Sequence, residues 1–412
     1  MPYGRAEMAA ASDAYPPVNG FVVSDRAAAD VFTAILSRGP VSRRDVARLT
    51  GLSQSTITKA VKPMLAAGYL MEEREEAQGR GRPANPLRVS ADRHYALGIK
   101  LSPHEIVAVV VNPRAEVLAS TRRGLPGRSV DQVTSEIGSV VGELLGSQPE
   151  FQARVEGLGL AVGGLVDAQG TLRYSPLLGW RDVPLASMLE AATGLYTVVE
   201  NDVNTLAVEE QLFGAGRGVS TFAVVTVGAG VGCGLVVHGE LVHGSGGMAG
   251  EIGHIAIDHE GELCACGNRG CLETIASDKA ILGSIARDGG PFLTSIGEAA
   301  LLAREGDEKA RAAFARAGEA LGRALAMLAN IVNPSRVVLS GEGVVASDLM
   351  MDHLAEALDR HTFANFAGIP EIVTRPLSDE MWAKGAAVNV LRHVIGQPLT
   401  RQAPRPATVA KA

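Results

Sequence analysis

The pattern of apolar positions changes near residue 93. Between residues 26 and 70, apolar residues recur at the three- and four-residue spacing of helices, in three short segments. Beyond residue 95 they alternate with polar residues or form short continuous runs, which is typical of strands, and later strand patterns alternate with helical ones. Residues 1–25 and 396–412 show neither periodicity, and we predict that both are disordered tails.

The three helical segments predict a helix-turn-helix. The first helix starts near Arg26 and stops at Gly39-Pro40, the second is capped by Ser42, and the third begins after Ser53. The third helix takes the recognition position, and polar side chains in its first half can reach base edges and phosphates. These candidate DNA contacts are Gln54, Ser55, Thr56, Thr58 and Lys59.

An arginine-glycine loop follows the third helix, at residues 79–83. An extended ribbon after a helix-turn-helix is a wing, and Arg80 and Arg82, separated by a glycine, are slim enough to enter a minor groove. The alternatives are a solvated loop and a three-helix bundle for protein contacts. Residues 26–93 carry a net charge of +5 in a chain of −7, so the rest carries −12. A basic module on an acidic body predicts a winged helix-turn-helix at residues 26–92 that binds double-stranded DNA.

The remainder of the chain predicts an α/β fold with two similar lobes. Three strand patterns are followed by a helix and then by strand-helix alternation, and a glycine loop opens a second run of the same kind. We predict a first lobe at residues 93–200, completed by a C-terminal helix at about 380–395, and a second lobe at residues 201–379. The first three predicted strands are Ala96–Leu101, Ile106–Val111 and Val117–Thr121. Asn204–Phe213 is predicted to be helical, and a later long helix has one apolar stripe made of Phe314, Ala317, Leu321, Leu325, Leu328 and Val332.

Bulk composition narrows the class of protein. The chain has 412 residues, of which 46% are hydrophobic and 20% charged, as in ordinary globular proteins of two or three domains. No apolar run is long enough to span a membrane, and the N-terminus lacks the pattern of a signal peptide. Four cysteines, three of them clustered, fit a reducing compartment. We therefore expect a cytoplasmic protein without a membrane partner.

The cysteine cluster predicts a metal site within residues 250–273. Cys264, Cys266 and Cys271 follow His254, and three thiolates with one imidazole form a closed tetrahedral set for structural Zn²⁺. His259 is a competing fourth ligand. We favour His254 because it follows Glu251 by three residues, a spacing that can point both side chains the same way. Three reduced cysteines without a metal are the alternative.

The same stretch resembles the signature of the ROK family, whose name covers repressors, open reading frames and kinases. The matching residues read E-x-G-H and then C-x-C-G-x-x-G-C-x-E, and the wing sequence G-R-G-R-P also resembles that of ROK regulators. The resemblance implies an actin-like sugar-kinase fold that binds its ligand between the lobes, with zinc folding a sugar-binding loop.

A second segment, residues 200–204, also resembles the ROK family. It matches the E-N-D-x-N element, in which Asp202 takes the position of the kinase's general base. A glycine turn at residues 163–167 also resembles one that lines the sugar. The implied sugar contacts are Gly163, Gly164, Asn201, Asp202, Glu251, His254 and Glu273.

The phosphate-binding elements depart from the family pattern. Where ROK kinases carry D-x-G-G-T, this chain has Lys100 in place of the acidic residue, no double glycine, and Pro103, which removes a backbone donor. The loop at residues 226–232 keeps its glycines but has Ala229 at the inner threonine, and residues 340–343 match the adenosine-side glycines only in part. The sugar-side element S-P-N-L-x-G-W, at residues 175–180, lacks its asparagine.

Together these features predict a sugar-responsive transcriptional regulator, a repressor of carbohydrate metabolism genes, with no catalytic residue. The effector is a small sugar or sugar phosphate, and we expect a homodimer or homotetramer because such modules read paired half-sites. One alternative is a ROK-type sugar kinase with an appended DNA-binding domain, supported by Asp202 and the partial glycine loop. Another is a regulator that responds to a partner protein and retains a vestigial sugar pocket.

Overall fold

The computed structural model describes residues 26–73, 85–92, 94–363 and 369–396. The predicted N-terminal tail, the predicted C-terminal tail after Gly396, and the wing loop with Arg80 and Arg82 lie outside the described residues. The described part divides into two compact units, which comprise residues 26–94 with 390–396, and residues 95–389.

The smaller unit is a winged helix-turn-helix, as predicted. Ser42 and Ser53 cap the second and third helices by accepting hydrogen bonds from the backbone N–H groups of Asp45 and Thr56. The two strands pair antiparallel and form the stem of the wing. Its core is made of fully buried side chains from all three helices, including Val31, Val46, Ile57, Val61 and Met64. The elements are α1 (Arg26–Arg38), α2 (Arg43–Thr50), α3 (Gln54–Ala67), β1 (Leu70–Glu72) and β2 (Leu87–Val89).

The larger unit contains two five-stranded sheets of the same topology. In each sheet, three consecutive strands form an antiparallel meander. The first strand of the meander also pairs in parallel with a fourth strand, and the fourth strand pairs in parallel with a fifth. The orders are β10-β6-β3-β4-β5 and β13-β12-β11-β14-β15. The prediction of a duplicated α/β fold is therefore confirmed. The strands are β3 (Tyr95–Leu101), β4 (Glu105–Val111), β5 (Val117–Gly124), β6 (Val155–Val162), β7 (Leu165–Val166), β8 (Leu172–Ser175), β9 (Trp180–Val183), β10 (Thr197–Asn201), β11 (Phe222–Val227), β12 (Val231–Val237), β13 (Glu240–Leu241), β14 (Arg336–Ser340) and β15 (Glu371–Thr374).

Helices cover both sheets, and one helix lies between them. Helix α7 contacts β6 and β10 of the first sheet and β11, β12 and β13 of the second. The long helix α11 is paired with α12 and carries the predicted apolar stripe into the core of the second sheet. The helices are α4 (Val130–Ser147), α5 (Pro149–Arg154), α6 (Leu185–Thr193), α7 (Asp202–Leu212), α8 (Glu273–Ala276), α9 (Asp278–Arg287), α10 (Ile296–Arg304), α11 (Glu308–Val332), α12 (Ser347–His361) and α13 (Asp379–Gly396). None of the helices in the described residues has the length and apolarity needed to cross a bilayer.

Two local features differ from the sequence prediction. The small antiparallel sheet β7-β8-β9 was not predicted, because its strands are only two to four residues long. Helix α7 begins at Asp202 rather than at Asn204, and Asn201 is its N-cap. The side-chain oxygen of Asn201 accepts from the backbone N–H groups of Val203 and Asn204. Oδ1 of Asp202 also accepts from the N–H of Val203, and its Oδ2 contacts Lys100.

Close packing of β3 against α13 gives a test of this architecture. A Cβ atom added at Gly98 would lie 1.9 Å from the carbonyl oxygen of Ala383, so Gly98→Ala should force the strand and helix apart. We expect a loss of about 1–3 kcal/mol in the free energy of unfolding of the larger unit. Gly142→Ala is the matched control, because Gly142 lies in α4 with no atom within 4 Å of the added Cβ, and it should gain about 0.5–1 kcal/mol. Urea unfolding of the full chain measures both, and an unchanged midpoint for Gly98→Ala would contradict the packing.

Candidate ligand site and metal centre

The site is built around the junction of β10 and α7. The side-chain oxygen of Asn201 accepts hydrogen bonds from the backbone of Val203 (2.9 Å) and Asn204 (3.2 Å), which caps the helix. Its amide nitrogen donates to the carbonyl oxygen of Gly164 at 3.0 Å. Asn201 therefore fixes the predicted glycine turn against the helix N-terminus, and it brings Gly164 and Asp202 to the same place.

The glycine turn lies beside Asp202. Ser175 holds the turn by donating from Oγ to the carbonyl oxygen of Gly163 at 2.7 Å. A Cβ added at Gly163 would lie 3.5 Å from Oδ2 of Asp202 and 3.6 Å from the side chain of Leu177. Leu177 is 52% exposed, and it belongs to the element that lacks the family's asparagine. A ligand at this turn would meet a carboxylate on one side and an apolar side chain on another.

Lys100 forms an ion pair with Asp202. Its ammonium contacts Oδ2 of Asp202 and lies 4.5 Å from the centre of the Trp382 ring, on helix α13. The two charged side chains are 15% and 16% exposed. The sequence indicated only that an acidic residue had been replaced. The partner of Lys100 is 102 positions away in the chain, so no local pattern could have identified it.

Glu200, a second acidic residue at the end of β10, is paired with Asn204 and His243. Glu200 accepts from the side-chain amide of Asn204 at 3.0 Å, and its other oxygen lies 2.8 Å from Nε2 of His243. Burial alone would raise the pKa of Glu200, but the hydrogen bonds from His243, Asn204 and the backbone of Asn201 together lower it. Glu200 therefore stays ionised and fixes the strand end. The role of His243 was missed by the sequence analysis, because a lone histidine in a glycine-rich segment carries no signal.

The predicted sugar contacts Glu251 and Glu273 come to the same region as Asp202. Burial raises the pKa of Glu251, the charge of His254 lowers it, and the negative charges of Glu273 and Asp202 raise it. Glu273 accepts from the backbone N–H of Val231 at 3.2 Å, on the strand that leaves the glycine loop. The predicted contacts on β10, the glycine turn and the cysteine-rich segment thus converge, although they are distant in sequence.

His254, Cys264, Cys266 and Cys271 form a compact group that could bind a metal ion. One ligand atom from each residue lies within 4.8 Å of the others. Nδ1 of His254 is 3.5 Å from Sγ of Cys264, and the sulfurs of Cys266 and Cys271 are 3.6 Å apart. Ligands of a tetrahedral zinc–thiolate site are separated by about 3.8 Å, so the donor set fits such an ion. His259, the competing ligand, is exposed and is not part of the group.

The orientation of His254 connects this group with the carboxylates. Nδ1 faces the cysteines, and Nε2 lies 3.9 Å from Oε2 of Glu251. A metal on Nδ1 would fix the ring, and through it the position of Glu251. The loop reaches this arrangement because Gly267 and Gly270 adopt φ values of +94° and +63°, which side chains disfavour.

Carboxylates flank the glycine loop at residues 226–232. A Cβ added at Gly228 would lie 2.2 Å from Oε2 of Glu342, so this carboxylate packs directly on the glycine loop. The backbone N–H of Asp278 donates to the carbonyl oxygen of Gly228 at 2.8 Å. Burial raises the pKa of Asp278 to about 6, and the charge of Glu342 contributes. Two acidic residues therefore lie beside the glycine loop.

The predicted DNA contacts lie at the solvent face of α3. Gln54, Ser55, Thr58 and Lys59 are exposed, whereas Ile57 between them is fully buried. Thr56 is half-buried, and its backbone N–H bonds to Ser53. The helix thus presents the polar face that the prediction requires. Arg80 and Arg82 lie outside the described residues.

Comparisons with known proteins match both units. Residues 96–393 match the ROK family, and residues 25–82 match the MarR family. The putative xylose repressor of Caldicellulosiruptor sp. (strain Rt8B.4) is 27% identical over 389 residues, which cover 89% of this chain and 96% of that protein. The DNA-binding transcriptional repressor Mlc of Escherichia coli (strain K12) is 28% identical over 372 residues, which cover 87% of this chain and 91% of Mlc.

Two solved structures share the fold. A ROK family transcriptional regulator, described as a homologue of E. coli Mlc, superposes with a TM-score of 0.78 at 27% identity, covering 91% of this chain and 97% of that one. A ROK family glucokinase from Streptomyces griseus, solved with glucose and AMPPNP, superposes with a TM-score of 0.62 at 27% identity. The match covers 71% of this chain and 98% of the kinase, so 29% of this chain has no counterpart in the kinase.

Proposed function

Because the chain belongs to the ROK family, we propose that it is a sugar-responsive repressor of carbohydrate metabolism genes. One observation carries this proposal: the predicted sugar contacts converge at the α7 N-terminus, in a chain that also carries a winged helix-turn-helix. The relatives described as repressors match over nearly their whole length, which supports the same assignment. Sugar binding would favour one arrangement of the lobes and thereby change the affinity of the DNA-binding units.

We propose that the protein transfers no phosphate. Phosphoryl transfer depends on neutralising and positioning phosphate, and both phosphate-side elements oppose this. Lys100 stands where the kinases have an acidic residue and pairs with Asp202, the position of the general base. Glu342 places a carboxylate against the glycine loop. The alternative, a kinase with an appended DNA-binding domain, would require both the Lys100 ammonium and the Glu342 carboxylate to move away.

We propose that the metal is zinc and that its role is structural. Four protein ligands leave no open position for water or substrate, so the ion would order the loop that carries His254 and Glu251 and would supply no chemistry. The regulator acts in the compartment that holds its operator, which we propose is the cytoplasm. Two copies, or four, would read paired half-sites.

Zinc should be required for sugar affinity. We expect one zinc per chain by elemental analysis, and at least a tenfold loss of metal affinity in Cys266→Ala, because three ligands hold the ion more weakly than four. Cys266 is exposed, so its removal costs little packing, and Cys233→Ala is the control, since Cys233 is a buried thiol outside the metal group. If Cys266→Ala and Cys233→Ala bound the sugar with equal affinity, the structural role of the zinc would be contradicted.

A thermal-shift screen separates the sensor from the kinase. Glucose, xylose, N-acetylglucosamine, their phosphate esters and ATP–Mg²⁺ are the probes. We expect at least one sugar or sugar phosphate to stabilise the protein, by about 2.7 kcal/mol at 100 times its dissociation constant, whereas ATP–Mg²⁺ gives no stabilisation. Steady ADP production from a sugar, abolished in Asp202→Ala, would establish the kinase instead. Stabilisation by none of the sugar compounds would favour the regulator that responds to a protein.

The wing arginines should contribute to DNA affinity. Arg80→Ala with Arg82→Ala should weaken binding to a duplex selected in vitro about 10-fold or more and lower the salt dependence of binding, because cationic contacts are lost. Arg114→Ala with Arg217→Ala is the matched control: it makes the same charge change at two exposed positions of the larger unit. Fluorescence anisotropy at several salt concentrations measures both. Equal effects of the two double variants would contradict a specific role of the wing.

A further inference from the structure

We infer that Lys100 and Asp202 together bind one hydroxyl group of the effector: Asp202 accepts the hydroxyl proton, and Lys100 donates to the hydroxyl oxygen. The inference rests on the proposed function, because it concerns the same sugar site. It goes further by assigning a ligand contact to Lys100, and it specifies the chemistry that the effector must present there.

The chemistry of the pair matches a hydroxyl. A hydroxyl both donates and accepts hydrogen bonds, whereas a carboxylate only accepts and an ammonium only donates. A lone carboxylate would satisfy only half of the group. Lys100 and Asp202 in contact offer both functions side by side, and their low exposure makes such charge-assisted bonds stronger than they would be in water.

The shared oxygen faces the glycine turn. Oδ2 of Asp202 contacts the ammonium of Lys100, and the same Oδ2 lies 3.5 Å from where a Cβ of Gly163 would be. The residue there is glycine, so this side of the oxygen is not covered by a side chain at that position. A ligand hydroxyl seated over the glycine turn would reach Oδ2 and the adjacent ammonium together.

Three elements hold Lys100 in position. The residue belongs to β3, its charge is paired at the N-terminus of α7, and its ammonium lies over the Trp382 ring of α13. The ring face attracts the cation and limits its motion. An ammonium has three protons, so these contacts leave capacity for a further acceptor.

The pairing sets the class of effector. A phosphate ester in place of this hydroxyl would remove the proton that Asp202 accepts and would add negative charge next to Asp202 and close to Glu251 and Glu273. A deoxy sugar would desolvate the Lys100–Asp202 pair without supplying the hydrogen bonds of the hydroxyl, which a site built for a hydroxyl rejects strongly. The effector therefore carries a free hydroxyl at this position.

The test couples a variant to a missing hydroxyl. The probes are glucose, xylose and N-acetylglucosamine with their monodeoxy derivatives, measured by calorimetry on the zinc-loaded full chain. We expect Lys100→Met to weaken the parent sugar about 10-fold or more, because a hydrogen bond to a charged group is lost. One deoxy derivative, and only one, should bind to Lys100→Met as tightly as it binds to the wild-type protein. Lys100→Gln, whose amide still donates, should keep part of the coupling and serves if Lys100→Met folds poorly.

Lys384→Met is the matched control. Lys384 pairs with Glu209 at 2.9 Å and lies 6.0 Å from the Phe213 ring centre, so it also combines an α7 carboxylate with an aromatic ring. Glu209 is seven residues beyond Asp202, about 10 Å along the helix. Lys384→Met should lower the unfolding temperature. For each deoxy derivative, it should lose the same factor in affinity, relative to the parent sugar, as the wild-type protein does.

The outcomes distinguish this inference from the proposed function. If Lys100→Met weakened the binding of the parent sugar and of all deoxy derivatives equally, Lys100 would have only a structural role. That result would overturn this inference but not the proposed function. Tighter binding of a phosphate ester at the coupled position than of its parent would also overturn it. Binding of no sugar or sugar phosphate by wild-type protein that still binds DNA would instead overturn the sugar-responsive function.

Discussion

The close approach of helix α7 to its neighbours is the constraint on which the larger unit depends. The helix is buried along most of its length and contacts strands of both sheets. Strand β12 can lie against it only because Gly234 has no side chain: a Cβ there would be 2.7 Å from the carbonyl oxygen of Val203. Even its two consecutive glutamates are buried, and each is paired with a cation, Glu209 with Lys384 and Glu210 with Arg375. Removing one partner of such a pair typically costs about 3–5 kcal/mol, so the helix has little freedom to shift.

A rigid α7 explains why the ligand groups can be placed so accurately at its N-terminus. Asn201 caps the helix and holds Gly164, while Asp202 reaches Lys100. Nδ1 of His254 faces the cysteines, and its Nε2 lies 3.9 Å from Glu251. One part of the candidate site is thus fixed by a buried helix, and the other part belongs to the loop that the proposed ion would order. A change that loosens either part would leave the residues present but misplaced, which a binding site tolerates poorly.

The sequence was informative wherever local chemistry determined structure. The three N-terminal helices end or begin at Gly39, Ser42 and Ser53, because caps and breakers act within a few residues. Helix α7 was placed two residues late, since a helix buried on all sides has no apolar stripe that shows its period. The cysteine spacing indicated a metal site, but only the fold shows that His254 rather than His259 stands beside the thiols. Contacts between distant residues, such as Lys100 with Asp202, follow from topology and leave no trace in either local segment.

The two altered phosphate elements make physical sense together. A kinase cleft places phosphate and its metal ion between a sugar and an acidic residue, and it keeps the glycine loop free to embrace the anion. Here the acid is a lysine that pairs with the former base, and a carboxylate lies against the loop. In the function proposed above, Lys100 would take the place of the cation of a nucleotide complex, and Glu342 that of the phosphate. Both charges would then belong to the chain itself, which is the physical reason for proposing a sugar and no nucleotide as the ligand.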